Sequence, residues 1–186
     1  MTKKNKTKIE NIEIHYSMCK AYLRGNIEDV ANMYYGLPTY SSDAMKKGIK
    51  IHEKISSEKL RLFEDMGECD WEFKKEKKIS DRITYVGTVD CIDWSNHIIY
   101  DWKSGTTDVT KIDPMQLYCY SLLFDNIQKG RMVKVDQVGD EIVTGDWVEY
   151  YITPLMKDKA LNWIDTLGLE IINVLNNMEN KEEKLW

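Results

Sequence analysis

Asp90, Asp101 and Lys103 are the residues of this sequence best suited to chemistry. Ile98-Ile99-Tyr100-Asp101-Trp102-Lys103 is a short β-branched and aromatic run that ends in charge and is stopped by Ser104-Gly105, which predicts a strand. Side chains alternate across a strand, so Asp101 and Lys103 share one face and Trp102 takes the other. Thr84 to Ile92 predicts a second strand, with Trp94-Ser95-Asn96-His97 as the hairpin loop between them. Antiparallel pairing then brings Asp90 near Asp101. Two such carboxylates repel unless a cation lies between them, and hard oxygen donors suit magnesium or manganese. A lysine two residues along is placed to stabilise negative charge developing at phosphorus or to orient an attacking water. Alone, Asp-x-Lys more often describes an ion pair at a strand end, so the accompanying residues decide its meaning.

The elements that must position these groups are legible on both sides. Ser41 or Ser42 is a helix cap, and Met45, Ile49, His52 and Ile55 recur at steps of four, three and three, which predicts one buried helix face. A lone histidine on such a face is ordinarily a satisfied core residue. Gly48 inside this helix costs about 1 kcal/mol relative to alanine, which points to close approach of another element. Gly87, just before the acidic position in its strand, carries the same implication. Asp113-Pro114 starts a further helix on which Gln116 and Tyr120, four apart, share a face. Trp71 to Lys77 predicts a lysine-flanked strand. Its Glu72 and Glu76 read as surface glutamates, although either could face a metal.

The outer parts are read more coarsely. Ile9 to Tyr35 predicts helix broken at Gly25, and Gly36-Leu37-Pro38 punctuates its end. Arg131 to Val138 and Trp147 to Ile152 predict two strands of an edge hairpin, joined by a loop holding Gly139-Asp140 and Thr144-Gly145-Asp146. Leu161, Ile164, Leu167, Ile171 and Val174 mark a long amphipathic helix after Pro154, fraying from Asn176 to Lys184. The organisation expected is a basic disordered arm over 1–8, a single domain over 9–176 and a polar tail over 177–186.

The chain has 186 residues, 42% of them hydrophobic, enough for one domain with a sizeable core. Its net charge of −5 means that a polyanion must be met by a local patch. Lys46, Lys47, Lys50 and Lys54 form one lysine cluster, and Lys74, Lys75, Lys77 and Lys78 another; each read alone is a solvated face. No apolar run is long enough to span a bilayer, and no apolar segment follows the N-terminal lysines as a secretory signal requires. Cys19, Cys69, Cys91 and Cys119 include no Cys-x-x-Cys pair, so reduced thiols in a cytoplasm are expected.

With these residues placed, the sequence resembles the RecB-like branch of the PD-(D/E)XK nuclease superfamily. Gly48-Ile49-Lys50-Ile51-His52 matches its Gly-x-x-x-His motif, Gly87-Thr88-Val89-Asp90 its Gly-x-x-Asp, Asp101-Trp102-Lys103 its Asp/Glu-x-Lys core, and Gln116 to Tyr120 its Gln-x-x-x-Tyr, in the family's order. The resemblance implies an α/β, restriction-endonuclease-like fold with a central mixed β-sheet flanked by α-helices. It implies that His52, Asp90, Asp101 and the Trp102 backbone carbonyl bind Mg2+ or Mn2+, that Lys103 is the catalytic lysine working with Asp90 and Asp101, and that Gln116 and Tyr120 position a nucleic acid strand. Some relatives carry a four-cysteine iron–sulfur cluster, with three cysteines after the tyrosine motif; none follows Cys119 here, so no cluster is expected.

The implied activity is metal-dependent hydrolysis of DNA, as an exonuclease on single strands or free ends in recombination, repair or phage and viral DNA processing. DNA is the expected partner, together with protein partners in recombination or replication and with no membrane, and oligomeric state stays open. Trp102, Tyr118 and Tyr120 are candidates for stacking on an unpaired base, although each also suits the interior. Two other readings remain: a catalytically silent nucleic-acid-binding or recruitment module with the same fold, and a structure-specific endonuclease.

Overall fold

A computed structural model describes residues 8–105 and 108–182. The elements are β1 (Ile12–Ile14), α1 (Tyr16–Leu23), α2 (Ile27–Tyr34), α3 (Asp43–Ser57), β2 (Cys69–Lys78), β3 (Ile83–Asp93), β4 (Ile98–Lys103), a 3-10 turn (Val109–Lys111), α4 (Met115–Ser121), β5 (Lys129–Val138), β6 (Glu141–Tyr151) and α5 (Pro154–Glu182). The strands form a six-stranded mixed sheet in the order β1-β3-β4-β5-β6, with β2 also paired to β3. This is the α/β architecture expected, a central mixed sheet with helices.

The chain forms two compact units. One contains the chain up to Thr39, Glu76–Val86 and the chain from Asn162; the other contains Tyr40–Lys75 and Gly87–Leu161. In the first unit β1 pairs in parallel with the start of β3, Ile12 opposite Ile83 and Ile14 opposite Tyr85. The helix expected from Ile9 therefore begins only at Tyr16. Ile12 and Ile14 are buried on either side of exposed Glu13, a two-residue period too short to stand out in sequence. Gly25, at φ 73°, separates α1 from α2, as its position implied. The part of α5 in this unit buries Ile164, Leu167, Ile171, Ile172 and Leu175.

The helix does not end where its sequence turns polar. Asn176 Oδ1 accepts a hydrogen bond from the Ile9 amide at 2.9 Å, Asn176 Nδ2 donates to the Ile9 carbonyl at 3.2 Å, and the helix continues to Glu182. The remainder of the expected tail, and all of the expected basic arm except Lys8, lie outside the described residues.

The second unit carries the residues singled out for chemistry. Its core packs Ile51, Ile55, Met66, Cys91, Ile98, Tyr100, Trp102, Val133 and Val135. Burial of each large apolar side chain here contributes about 1.5–3 kcal/mol. β3 and β4 form the expected antiparallel hairpin, Cys91 opposite Tyr100 and Asp93 opposite Ile98. Its loop is organised by the buried Asp93 carboxylate, which accepts from the amides of Gly67 and Asn96 and from Asn96 Nδ2 at 2.9–3.0 Å.

β4 then pairs in parallel with β5, Asp101 opposite Met132 and Lys103 opposite Lys134. The crossover between these strands contains α4. β5 and β6 form a long hairpin that turns at Gly139-Asp140. Thr144-Gly145-Asp146 is not part of the loop, as expected from composition, but lies within β6. The register shifts there between Val133 and Val135, so the glycine serves a bulge instead of a turn. Among the described residues, no helix is long and apolar enough to cross a membrane.

Candidate metal centre

Five elements of the second unit contribute to one site: α3, β2, β3, β4 and α4. Helix α3 starts as its sequence dictates, with the Ser42 hydroxyl accepting from the Met45 amide at 3.2 Å. Its buried face, however, is Gly48, Ile51 and Ile55, while Met45 and Ile49 are about half exposed. The face is thus rotated from the one expected, and His52 lies on its border with 26% of its side chain exposed. Close approach occurs at Gly48 as expected, since a β-carbon there would meet the Ser104 hydroxyl just beyond β4. A β-carbon at Gly87 would lie 2.8 Å from Leu123 and 3.1 Å from the Tyr120 ring, the close approach its sequence position suggested.

The β3–β4 hairpin sets the acidic pair. Asp90 Oδ2 accepts from the Trp102 amide at 2.7 Å, which leaves Oδ1 facing His52 Nδ1 at 3.5 Å. Asp101 is 1% exposed, and Lys103 Nζ lies 2.6 Å from its Oδ2. That contact is a close ion pair, with the buried Asp101 Oδ2 facing the ammonium. Lys103 Nζ donates to Gln116 Oε1 at 2.8 Å, and Gln116 Nε2 donates to Tyr120 Oη at 2.8 Å. The helical spacing of Gln116 and Tyr120 therefore builds a relay that aims the lysine. Asp113 caps α4 as expected, its Oδ1 accepting from the Met115 amide at 2.9 Å.

The structure thus brings His52, Asp90, Asp101, Lys103, Gln116 and Tyr120 together, and adds a residue that the sequence reading left on the surface. Donor atoms of His52, Glu72 and Asp90 all lie within 4.8 Å of one another. Glu72 belongs to β2 but has a left-handed backbone, φ 50°, and that is what no sequence pattern reveals. The alternation of Trp71 and Phe73 was the only available signal, placing Glu72 on the opposite face of the strand. Glu76 is exposed. Trp102 is buried and stacked on Tyr100 with ring centroids 5.2 Å apart, and Tyr120 is 7% exposed. These two rings pack in the interior instead of offering a face to a base.

The donor set fits a hard divalent cation. Carboxylates of Glu72 and Asp90 and the His52 imidazole converge, oxygen donors with one nitrogen of the kind that binds such an ion, while Asp101 is paired with Lys103. Protonation tells the same story. Burial raises the Asp101 carboxyl above its ordinary value, with Lys103 opposing and Asp90 adding. Burial and Asp90 raise Glu72, and His52 opposes. Burial works to lower His52, but Asp90, Asp101 and Glu72 outweigh it and raise its pKa.

Groups raised in the folded chain hold protons that the unfolded chain has released. Their contribution to stability is full below the unfolded values and is lost as pH rises through the folded ones. The ordinary values are about 3.9–4.3 for carboxyls and about 6.5 for histidine. Metal-free protein should therefore melt at a lower temperature at pH 8 than near pH 5.5. Adding Mn2+ at pH 8 should recover the loss. Glu149, lowered by Lys129 and Arg131 against the opposing effect of burial, works the other way only below the ordinary carboxylate range. Melting curves in EDTA across this range check the sign, and a melting temperature that rises towards pH 8 would show that the carboxylates are not crowded.

No family model and no curated protein matches the chain. Solved structures do. An alkaline exonuclease from Laribacter hongkongensis, LHK-Exo, aligns over 96% of both chains at 10% identity with a TM-score of 0.61, and has also been solved in complex with dAMP. A phage-related exonuclease from Haemophilus somnus 129PT aligns over 83% of both chains at 13% identity and a TM-score of 0.52. The protein SSO0001 aligns over 88% of this chain and 78% of its own at 21% identity and a TM-score of 0.54. At these identities the likeness establishes a shared fold alone.

Proposed function

We propose that this chain is a metal-dependent deoxyribonuclease of the RecB-like branch that hydrolyses phosphodiester bonds as an exonuclease on single-stranded DNA or free DNA ends. The observation that carries the reading is the placing of the Lys103 ammonium against buried Asp101, beside Asp90 and His52 and held from behind by Gln116. An ion pair serving stability alone would not require converging carboxylates, a histidine and a relay at the same point. The shared fold and the dAMP bound to one neighbour support a DNA substrate. The RecB-like assignment rests on the histidine and on the Gln116–Tyr120 pair, because the structural neighbours do not distinguish branches.

In this reading His52, Asp90, Asp101 and the Trp102 carbonyl hold Mg2+ or Mn2+, which when bound supplies Lewis-acid polarisation of the scissile phosphate. Lys103 orients the attacking water and donates to the oxygens that gain charge at phosphorus. Asp101 pairs with the Lys103 ammonium, and Gln116 and Tyr120 restrict where it points. The exposed Met45 and Ile49 lie on α3 at the two turns before His52, with Lys46 and Lys50 next to them in sequence. That surface suits the unpaired bases and phosphates of a strand leaving the site.

The test uses end-labelled linear single-stranded DNA and a covalently closed single-stranded circle, each with Mn2+, Mg2+ or EDTA. Metal-dependent release of mononucleotides from the linear strand, with the circle intact, is expected. Cleavage of the circle would favour the endonuclease reading. Binding without cleavage under either metal would favour the silent module.

A further inference from the structure

We propose that Glu72 is a metal ligand, completing a three-donor set with His52 and Asp90. Three observations carry this, and none depends on the motifs. Donor atoms of the three residues lie within 4.8 Å of one another. Asp90 has one oxygen committed to the Trp102 amide, so its other oxygen, the one facing His52, is left for a cation. Asp101 stands against Lys103, so the His52 side of the site needs a carboxylate from elsewhere.

The backbone of Glu72 sharpens the argument. A residue with a β-carbon at φ 50° in the middle of a strand is in a conformation that glycine adopts freely and others rarely do. Such a conformation persists where surrounding structure imposes it and clusters at functional sites. At this position glycine would relieve the backbone but would remove the carboxylate.

The proposal rests on the metal-dependent reading of the site, and its test separates the two. Mn2+ binding to the full chain, without DNA, is measured by titration calorimetry for wild type, Glu72→Gln, Glu72→Gly, Glu76→Gln and Asp90→Asn. Glu72→Gln and Glu72→Gly should each weaken Mn2+ by about tenfold or more, by analogy with losses on disturbing metal-site residues. Glu76→Gln, with the same change of charge on the same strand, should bind like wild type. Without metal, Glu72→Gly should melt no lower than wild type, which shows that lost affinity is not lost fold. Wild-type affinity in Glu72→Gln with loss in Asp90→Asn overturns the Glu72 assignment and leaves the site standing. Equal weakening by Glu76→Gln overturns it in favour of general charge. Wild-type affinity in Asp90→Asn removes both the ligand and the site.

Discussion

Replacing Lys103 by alanine is expected to lower the turnover of DNA hydrolysis by about 10³-fold while leaving DNA affinity within a few-fold of wild type. Loss of one donor aimed at a charge-developing oxygen costs about 10²–10³ in rate, and Lys103 is also placed to orient the attacking water. One phosphate contact among several contributes little to binding by comparison. Lys103→Arg should not rescue the loss, because a planar guanidinium cannot occupy the point between Asp101 Oδ2 and Gln116 Oε1 that the ammonium fills. Gln116→Ala and then Tyr120→Phe should show progressively smaller losses, since each acts through the next residue in the relay. Single-turnover rates with saturating enzyme, alongside equilibrium binding in EDTA, check this. Wild-type turnover in Lys103→Ala, or a loss of binding that accounts for the loss of rate, would reject the catalytic role.

Replacing Arg131 by methionine is expected to destabilise the protein by about 3 kcal/mol, the lower part of the range for breaking a buried ion pair. Its side chain is only 10% exposed and its Nε donates to Glu149 Oε2 at 2.8 Å. Its terminal nitrogens donate to Asp65 at 3.2 Å and to the Tyr100 hydroxyl at 3.3 Å. The guanidinium also lies over the rings of Phe63, Tyr100 and Trp147, 5.1–5.7 Å from their centroids. Asp65 is 58% exposed and loses little when freed. Glu149 keeps Lys129 at 2.9 Å, which argues for the lower figure. A fall in melting temperature of about 6–12 °C follows for a chain of this size. Arg131→Lys should recover only part, because an ammonium cannot make the fork and the ring contacts together. A change below about 2 °C in the methionine variant would mean that this cluster does not hold the β5–β6 hairpin to the segment before β2.

Fold and site were legible where neighbours in sequence decide the outcome. The Ser42 and Asp113 caps, the β3–β4 hairpin and the shared face of Gln116 and Tyr120 follow from backbone hydrogen bonds over three or four residues and from two-residue alternation. Gly48 and Gly87 signalled close packing for the same reason: a glycine inside a regular element is costly unless something needs the space.

What the sequence by itself determined was therefore the order of elements around the centre and the set His52, Asp90, Asp101, Lys103, Gln116 and Tyr120 that they bring together. Only the tertiary structure decided the rest. The parallel pairings of β1 with β3 and of β4 with β5 join residues far apart in the chain. The true buried face of α3 depends on what packs against it, and leaves Met45 and Ile49 in solvent. Gly145 lies in a strand because β5 continues opposite it, although composition marks a loop. Arg131 is buried because the rings of Phe63 and Trp147, distant in sequence, close over it together with Tyr100. Glu72 is the sharpest case: it is exposed, as a strand read from sequence implies, yet its carboxylate comes within 4.8 Å of donor atoms of His52 and Asp90, a proximity that no local pattern encodes.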